Sequence, residues 1–282
     1  MHGAKVTVVP LSKVAFDSGT PHGLSIPGFG NDLPDAVMVR SIAAGSFEAI
    51  TRRLGILHAL ERLGVPVWNS AKAIERCVDK SMTTFLLSGS GLPTPRTFTV
   101  EGLDAAKRIC TQETVPLVLK PLFGAQGRGI RLVRTVADLP PPDEVAETYY
   151  LQHYVPREGP PFRGYRVFVC AGRAIALMRR RSSEWISNVN QGGAPESCDD
   201  EASGELERLS VAAAHAVGAD FAGIDLVRGE GGRLYVLEVN SMPAWSGLQS
   251  VVKVNICATI ADALISSLTI RRPPRLVSSA SR

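Results

Sequence analysis

The sequence predicts an α/β protein with α+β character, and three observations carry that prediction. Through the first half of the chain, short β-branched runs alternate with runs of helical period. After position 149 the pattern turns strand-rich. The stretch Asp225-Leu226-Val227 … Leu237-Glu238-Val239-Asn240 then reads as two apolar strands joined by the turn-rich connector Arg228-Gly229-Glu230-Gly231-Gly232-Arg233.

Taken in order, residues 5–9 and 36–39 are β-branched and read as strands, separated by an irregular Gly/Pro-rich loop over 18–34. Ser46 is a suitable N-cap for a helix with Phe47, Ile50, Leu54, Leu57, Leu60 and Leu63 at three-to-four spacing, and Gly64 is a suitable stop. A strand over 65–68 completes a strand–helix–parallel-strand unit, and a further helix starts over 70–76. Asp79 opens the next helix, with Met82, Phe85 and Leu86 on its apolar side, and the Ser/Gly run 88–91 ends it. Strand 96–100, helix 103–110, strand 116–120 and strand 130–133 follow. Strands 150–155, 165–170 and 173–179 lead to a helix over 200–217, the hairpin, and a last helix over 254–268. No internal repeat is visible.

At 282 residues the chain has room for two domains and a sizeable core, and 45% hydrophobic with 21% charged residues is ordinary globular composition. A net charge of +4 fits anionic small molecules and, without a basic aromatic stripe, gives no nucleic-acid partner. The five cysteines are far apart and show no C-x-x-C spacing, which argues against a zinc site and a disulfide framework; they read as small buried hydrophobes in a reducing compartment. No signal-type segment or run of 18 apolar residues appears, so no membrane partner and a cytoplasmic location are expected. The basic, Ser-rich tail 271–282 reads as disordered.

Four constellations bear chemistry. In the hairpin, alternation puts Glu238 and Asn240 on one face, and a turn near Gly231 puts Asp225 across from Glu238. Two carboxylates and one amide oxygen are the hard ligands that Mg²⁺ takes, although a hairpin with polar residues facing water gives the same pattern. Upstream, the strand Leu117-Val118-Leu119-Lys120 meets a loop containing Gly124, Gln126, Gly127 and Gly129. Its backbone N–H groups can approach phosphate oxygens without interference from Cβ atoms. It opens no helix, so it is neither a P-loop nor a dinucleotide fingerprint. Lys120 ends its strand within reach of a phosphate, and Lys80 lies at a helix start; surface exposure is the common fate of lysine. Gln152-His153-Tyr154-Val155 is an extended linker whose backbone can read an adenine edge, with His153 itself an ordinary partly buried or surface histidine. Arg166 shares a strand face with Phe168, and at least one arginine of Arg179-Arg180-Arg181 points inward, suited to a phosphoryl or carboxylate group. Asn188, in a second glycine-marked loop, is either a phosphate or metal contact or a turn residue.

The ordered series resembles the ATP-grasp superfamily and, within it, the RimK-like α-L-glutamate ligases. The matching pieces are Val78-Asp79-Lys80, Leu119-Lys120-Pro121 with its glycine loop, Leu151-Gln152-His153-Tyr154-Val155, Tyr165-Arg166, Ser187-Asn188 with Gly192-Gly193, Gly223-Ile224-Asp225 and Glu238-Val239-Asn240. The stretches Val39-Arg40-Ser41, Gly45-Ser46-Phe47-Glu48, Val65-Pro66-Val67-Trp68-Asn69-Ser70, Ile74-Glu75-Arg76 and Ser241-Met242-Pro243-Ala244-Trp245-Ser246-Gly247-Leu248-Gln249 are similar to the tetrahydromethanopterin α-L-glutamate ligase branch.

The resemblance implies an ATP-grasp fold with a short α/β domain over 1–75, a lid subdomain over 76–150, a metal and substrate subdomain over 151–270 and the tail 271–282. It implies ATP and Mg²⁺ or Mn²⁺ as cofactors. Lys80 and Lys120, with Gly124, Gln126, Gly127 and Gly129, would hold the ATP phosphates. Gln152 and Val155 would read the adenine, Asn188 would sit near the phosphates, and Asp225, Glu238 and Asn240 would ligate metal. Arg180 and Arg166 would be catalytic, with Arg180 steadying the acyl-phosphate or tetrahedral intermediate. Ser241, Trp245 and Gly247 would form a substrate loop, Trp245 stacking on a ring such as a pterin or packing on its own loop. The partners implied are L-glutamate and a carboxylate acceptor; a homo-oligomer is compatible with the chain.

Two departures stand out. The βα unit that usually opens the family's N-terminal domain before residues 5–9 is absent, or the start was placed too late. The basic residue that some relatives carry before the Ser-Asn pair is Ile186, which counts against polypeptide acceptors or removes one phosphate contact. The alternatives are a ligase acting on a peptide, a protein or another amino acid, and a nucleotide-binding module without catalysis.

Overall fold

The computed structural model describes residues 3–124, 127–198 and 203–271. Gln126 and the tail beyond Arg271 lie outside the described residues. The chain divides into two compact units, Met1–Ala71 with Asn255–Arg282, and Lys72–Val254.

The first unit opens with a short antiparallel pair, β1 (Ala15–Phe16) and β2 (Leu24–Ser25), the second strand lying inside the stretch expected to be irregular. β3 (Val37–Met38), α1 (Phe47–Arg62) and β4 (Val67–Trp68) form the expected strand–helix–parallel-strand unit. Ser46 caps α1 by accepting the Ala49 N–H at 3.3 Å, and Ile56, Leu57 and Leu60 bury its inner face. Residues 5–9 are not a strand, and Val6 and Val8 lie exposed. β-Branched residues favour a strand only where a neighbour offers a ladder and a surface to pack on, and this segment has neither.

The second unit begins with α2 (Ala71–Val78) and α3 (Lys80–Gly89). Asp79 caps α3, accepting from Ser81 N at 2.8 Å and Met82 N at 3.3 Å. The buried face of α3 is Thr83 and Leu87 with Leu86 packed beside them, whereas Met82 and Phe85 point outward. The expected apolar face is thus rotated, because Thr83 turns inward to donate to the Arg76 carbonyl at 2.6 Å.

Next come β5 (Thr97–Glu101), α4 (Leu103–Gln112), β6 (Leu117–Lys120), β7 (Arg131–Val133) and β8 (Thr148–His153). The strands form an antiparallel sheet in the order β5-β8-β6-β7. Alternation divides its strands cleanly. Leu117 and Leu119 of β6, with Tyr149 and Leu151 of β8, pack with Ala106 of α4. Lys120 and Gln152 sit on the opposite phase of the same strands.

The chain then builds β9 (Phe162–Cys170), β10 (Arg173–Ser182), β11 (Ala194–Ser197), α5 (Ser203–Val217), β12 (Phe221–Arg228), β13 (Leu234–Asn240) and the short α6 (Ser246–Gln249). Here the sheet order is β11-β10-β9-β12-β13, all antiparallel. One face receives α5 through Leu206, Leu209, Ala213, Ala214 and Val217, a helical apolar stripe against Val167, Val169, Ile224 and Val239. The chain finally returns to the first unit as α7 (Ile256–Arg271).

Cys77 and Cys170 are buried and Cys110 and Cys198 half-buried, but Cys257 is exposed; all five are free thiols. Among the described residues no helix is long and apolar enough to cross a membrane.

Candidate active site

A cavity in the second unit is lined by both of its sheets. Its wall includes Val118, Lys120 and Gln152 from one sheet and Arg180, Asp225, Leu237 and Glu238 from the other, with Ile130, Tyr154, Val155, Arg157, Trp185 and Asn188 from the connecting loops.

The hairpin register supplies the anionic side. Asp225 on β12 lies directly opposite Glu238 on β13, as the spacing predicts. Strict alternation cannot bring Glu238 here while also burying both Val236 and Val239 in the α5 core. A β-bulge solves this: Leu226 pairs with Val236 and Asp225 with Glu238, so Leu237 is the extra residue. Leu237 and Glu238 both reach the cavity, and Val236 and Val239 both reach the core.

Two arginines converge on Asp225. Arg166 donates to it bidentately, Nε to Oδ1 at 2.8 Å and Nη2 to Oδ2 at 2.9 Å. Arg180 Nη2 adds a bond to Oδ1 at 2.7 Å. Burial acts to raise the Asp225 carboxyl, but the two guanidiniums outweigh it and hold it below the usual carboxylate range. Within the arginine triplet, Arg180 is the inward member, while Arg179 pairs with Glu196 at 3.1 Å and Arg181 is exposed. The Arg180 Nε is buried and has no partner among the described residues, an orphaned donor beside the cavity.

Both lysines are drawn in. Lys120 is 7% exposed and donates to Gln152 Oε1 at 2.6 Å. Lys80 donates to the carbonyls of Leu122, at 3.3 Å, and Gly124, at 2.9 Å, and so holds the start of the glycine loop. Burial lowers the Lys80 ammonium, with Glu238 and Asp79 working against it. Burial pushes Lys120 down to about 8; Glu238 partly counters this, and the Lys80 charge adds to it. The ammonium form of Lys120 therefore prevails below pH 8 and is lost above it. We predict that ADP affinity holds between pH 7 and pH 8 and is about tenfold weaker by pH 9, read by calorimetric titration. A flat profile across that range would remove Lys120 from the ligand.

Three loops meet beside these residues. Gly127 has φ +72°, and a Cβ there would sit 3.3 Å from Asn188 Cγ and 3.4 Å from Ile186 Cγ2. A Cβ on Gly247 would sit 3.4 Å from Val189 Cγ2. The glycine loop, the loop around Asn188 and the loop after β13 thus pack in series. Gly129, at φ +70°, packs against Pro121. Gly164 backs onto Ser187, whose Oγ would lie inside contact distance of an added Cβ. Gly164→Ala should displace Ser187 and Asn188 and cost about 1–3 kcal/mol by overpacking. Thermal unfolding checks this: an unchanged Tm would show that the Ser187 loop yields freely.

The remaining expected site residues divide between the cavity wall and its support. The Gln152 side chain is buried, accepts from Lys120 and lines the cavity wall. Val155 lines the cavity as well, and His153 is half-buried, the first of its two expected placements, and bonded to Glu113 at 2.8 Å. Ser241 is buried and hydrogen-bonded to the Cys77 thiol, which burial pushes up to about 12; it supports the loop from beneath. Trp245 stands edge-on to Phe168, centroids 5.7 Å apart, so it packs partly on the sheet. Sequence reasoning misses Arg157. It donates to the carbonyls of Arg163, at 3.1 Å, and of Trp185, and brings a further cation to the cavity wall. A lone arginine in a Pro/Gly loop carries no sequence signal.

Comparison with known proteins places this arrangement. A RimK-like ATP-grasp domain matches residues 77–264. The chain belongs to the RimK-like ATP-grasp family. Among relatives, the tetrahydromethanopterin:alpha-L-glutamate ligase of Methanococcus maripaludis is 35% identical over 234 residues, 81% of this chain and 78% of that one. A Legionella pneumophila protein named probable alpha-L-glutamate ligase is 30% identical over 234 residues, 77% of this chain and 75% of that one. The ATP-grasp ligase PsnB, solved with minimal precursor, Mg and ADP, superposes with a TM-score of 0.67 at 23% identity over 91% of this chain and 84% of PsnB. The mixed α/β architecture is the ATP-grasp fold. As a RimK-like ATP-grasp protein, the chain is an ATP-dependent ligase that forms C–N bonds.

The donor set of this ATP-grasp site fits Mg²⁺. Among the described residues no group of three or more His, Cys, Asp or Glu could hold a metal, but Mg²⁺ needs only one or two carboxylates when phosphate and water complete its shell. Glu238 accepts no hydrogen bond among the described residues, so its oxygens are available. Asp225 Oδ2 accepts one bond and keeps a lone pair, while Oδ1 already accepts two. Asn240 Oδ1 accepts from Met242 N at 3.0 Å and keeps one as well.

Proposed function

We propose that this ligase joins L-glutamate, through its amino group, to a small-molecule carboxylate such as a pterin cofactor, by way of an acyl-phosphate. The observation that carries the reading is the charge pattern of the cavity. Lys120, Arg157 and Arg180 line it, Arg166 reaches it through Asp225, and Glu238 is a carboxylate without a hydrogen bond among the described residues. That pattern suits three anionic substrates: a triphosphate, glutamate and an acceptor carboxylate. The likeness to the Methanococcus maripaludis enzyme over 81% of the chain supports glutamate and a pterin in particular. Free thiols and an ATP requirement are in keeping with a cytoplasmic enzyme.

In this reading Lys120 and Lys80 hold the phosphates in line for attack. Glu238, Asn240 and Asp225 would hold Mg²⁺, which supplies charge neutralisation between the β- and γ-phosphates. An acceptor carboxylate oxygen bonds to the γ-phosphorus as the bond to the ADP oxygen breaks. The glutamate nitrogen then attacks the acyl carbon, phosphate leaves, and the amine proton passes to solvent. The orphaned Arg180 Nε is the donor available to the oxyanion. Arg166 fixes the Asp225 carboxylate by its two-pronged grip. The glycine loop excludes water that would otherwise hydrolyse the acyl-phosphate.

The test is ADP release with Mg²⁺, ATP and L-glutamate against a panel of carboxylate acceptors that includes pterins and peptides, with product masses read in parallel. The reading expects pterin-dependent ADP release and a mass gain of one glutamyl unit. Turnover with peptides alone would move the acceptor class. ADP binding with no turnover across the panel would mark a nucleotide-binding module.

A further inference from the structure

Arg157 lies two residues beyond Val155 and lines the cavity beside Tyr154, Trp185 and Ile186. It is half-buried, and neutral groups hold its guanidinium. Nη1 donates to the Arg163 carbonyl at 3.1 Å, Nη2 donates to the Trp185 carbonyl, and the Tyr154 hydroxyl accepts a further bond. The Phe162 ring backs it, with Cζ 5.8 Å from the ring centroid, and Tyr154 stands edge-on to Trp185 at 5.7 Å. The two arginines of the neighbouring sheet that reach the cavity share a carboxylate, Asp225. Arg157 pairs with no carboxylate among the described residues. We propose that Arg157 grips the α-phosphate of the bound nucleotide.

The chemistry of the group calls for an anion. A guanidinium carries five N–H donors, and these three bonds leave two without a partner among the described residues. Carbonyls and a phenol satisfy donors but do not neutralise charge, so the half-buried cation stays uncompensated until an anion arrives. Burial lowers the Arg157 guanidinium, Tyr154 works against this, and the Arg180 charge adds to it. Two cations that repel each other on one cavity wall raise the local concentration of an anionic ligand. The two accepting carbonyls come from β9 and from the loop before Asn188, so the plane of the fork is set before the ligand enters. A planar fork fixed in this way can meet two phosphate oxygens at once.

The position of Arg157 selects among the phosphates. Glu238 acts on the charges of Lys80, Lys120, Arg166 and Arg180 alike, whereas Arg180 and Tyr154 are the groups that act on Arg157. Arg157 therefore stands away from the Glu238 end of the cavity and close to Val155, on the side of the base. The phosphate nearest the base and farthest from the metal is the α-phosphate.

The inference rests on the reading that this cavity holds ATP, and the test separates the two. Adenosine, AMP and ADP are titrated calorimetrically, with Mg²⁺ present, into the full chain, Arg157→Gln and Arg157→Lys. Arg157→Gln keeps an N–H for one of the two carbonyls and loses the charge. It should weaken AMP and ADP by the same factor, about tenfold, and leave adenosine unchanged. Arg157→Lys keeps the charge without the fork, and should lose about threefold on AMP and ADP and nothing on adenosine. Equal losses on all three ligands would overturn the proposal and make Arg157 a ribose contact or a fastener of its loop. A loss on ADP that spares AMP would refute it in favour of the β-phosphate. If Arg157→Gln does not fold, Arg157→Lys decides: a loss on AMP that spares adenosine supports the proposal, and unchanged AMP or an equal loss on both overturns it. A parent that binds neither AMP nor ADP would remove the nucleotide reading and the proposal together. A parent that binds both, with both variants unchanged, would remove the proposal alone.

Discussion

Glu238→Ala should lose turnover by on the order of a thousandfold, because the metal's share of transition-state charge stabilisation is several kcal/mol. The geometry singles out this carboxylate. Asp225 is gripped by Arg166 and Arg180, and Asn240 already accepts from its own loop, whereas Glu238 accepts no hydrogen bond among the described residues. Its charge lies near both lysines and both arginines, raising the pKa of each. Removing it therefore takes away a metal oxygen and leaves the cations unbalanced. Removing the carboxylate also lifts its repulsion of the phosphates, so metal-free ADP should bind at least as well as in the parent. Turnover assays with ADP titrations, with and without Mg²⁺, check both halves. Near-parental turnover would refute the metal role.

Lys120→Met should weaken ADP by about tenfold to a hundredfold, the worth of a charge-assisted hydrogen bond to phosphate. The fold should not suffer. Lys120 is buried and its charge is disfavoured by that burial, so an apolar side chain of similar length removes a desolvation cost while leaving Gln152 one acceptor short of its donor. Calorimetry and thermal unfolding together decide: ADP affinity should fall while Tm holds or rises. A parallel fall of both would make Lys120 a structural residue of β6.

Local rules explain what the sequence reveals and what it hides. Alternation and a tight turn place Asp225 opposite Glu238, and both are readable because strand period and turn chemistry are short-range. The bulge at Leu237 is not readable, since it arises from Val236 and Val239 competing for the α5 core. Lys120 closes an apolar run next to a glycine loop, and that local pattern is enough to mark it. The contact between Lys120 and Gln152 is not readable, because it depends on the sheet order that pairs β6 with β8. Met82 and Phe85 misdirect the reading of α3, because the inward turn of Thr83 depends on the Arg76 carbonyl of the preceding helix. The β-branched run 5–9 misleads for the same kind of reason: strand formation needs a neighbour, and the sequence of one segment does not contain it.

The most direct measurement is a crystal structure of the protein with Mg²⁺ and ADP. The diphosphate should lie within hydrogen-bond distance of Lys120 Nζ, the metal on Glu238 and Asn240, and the base between Val118, Ile130 and Leu237 beside Val155. A nucleotide bound away from Lys120, or a metal that leaves Glu238 untouched, would contradict it.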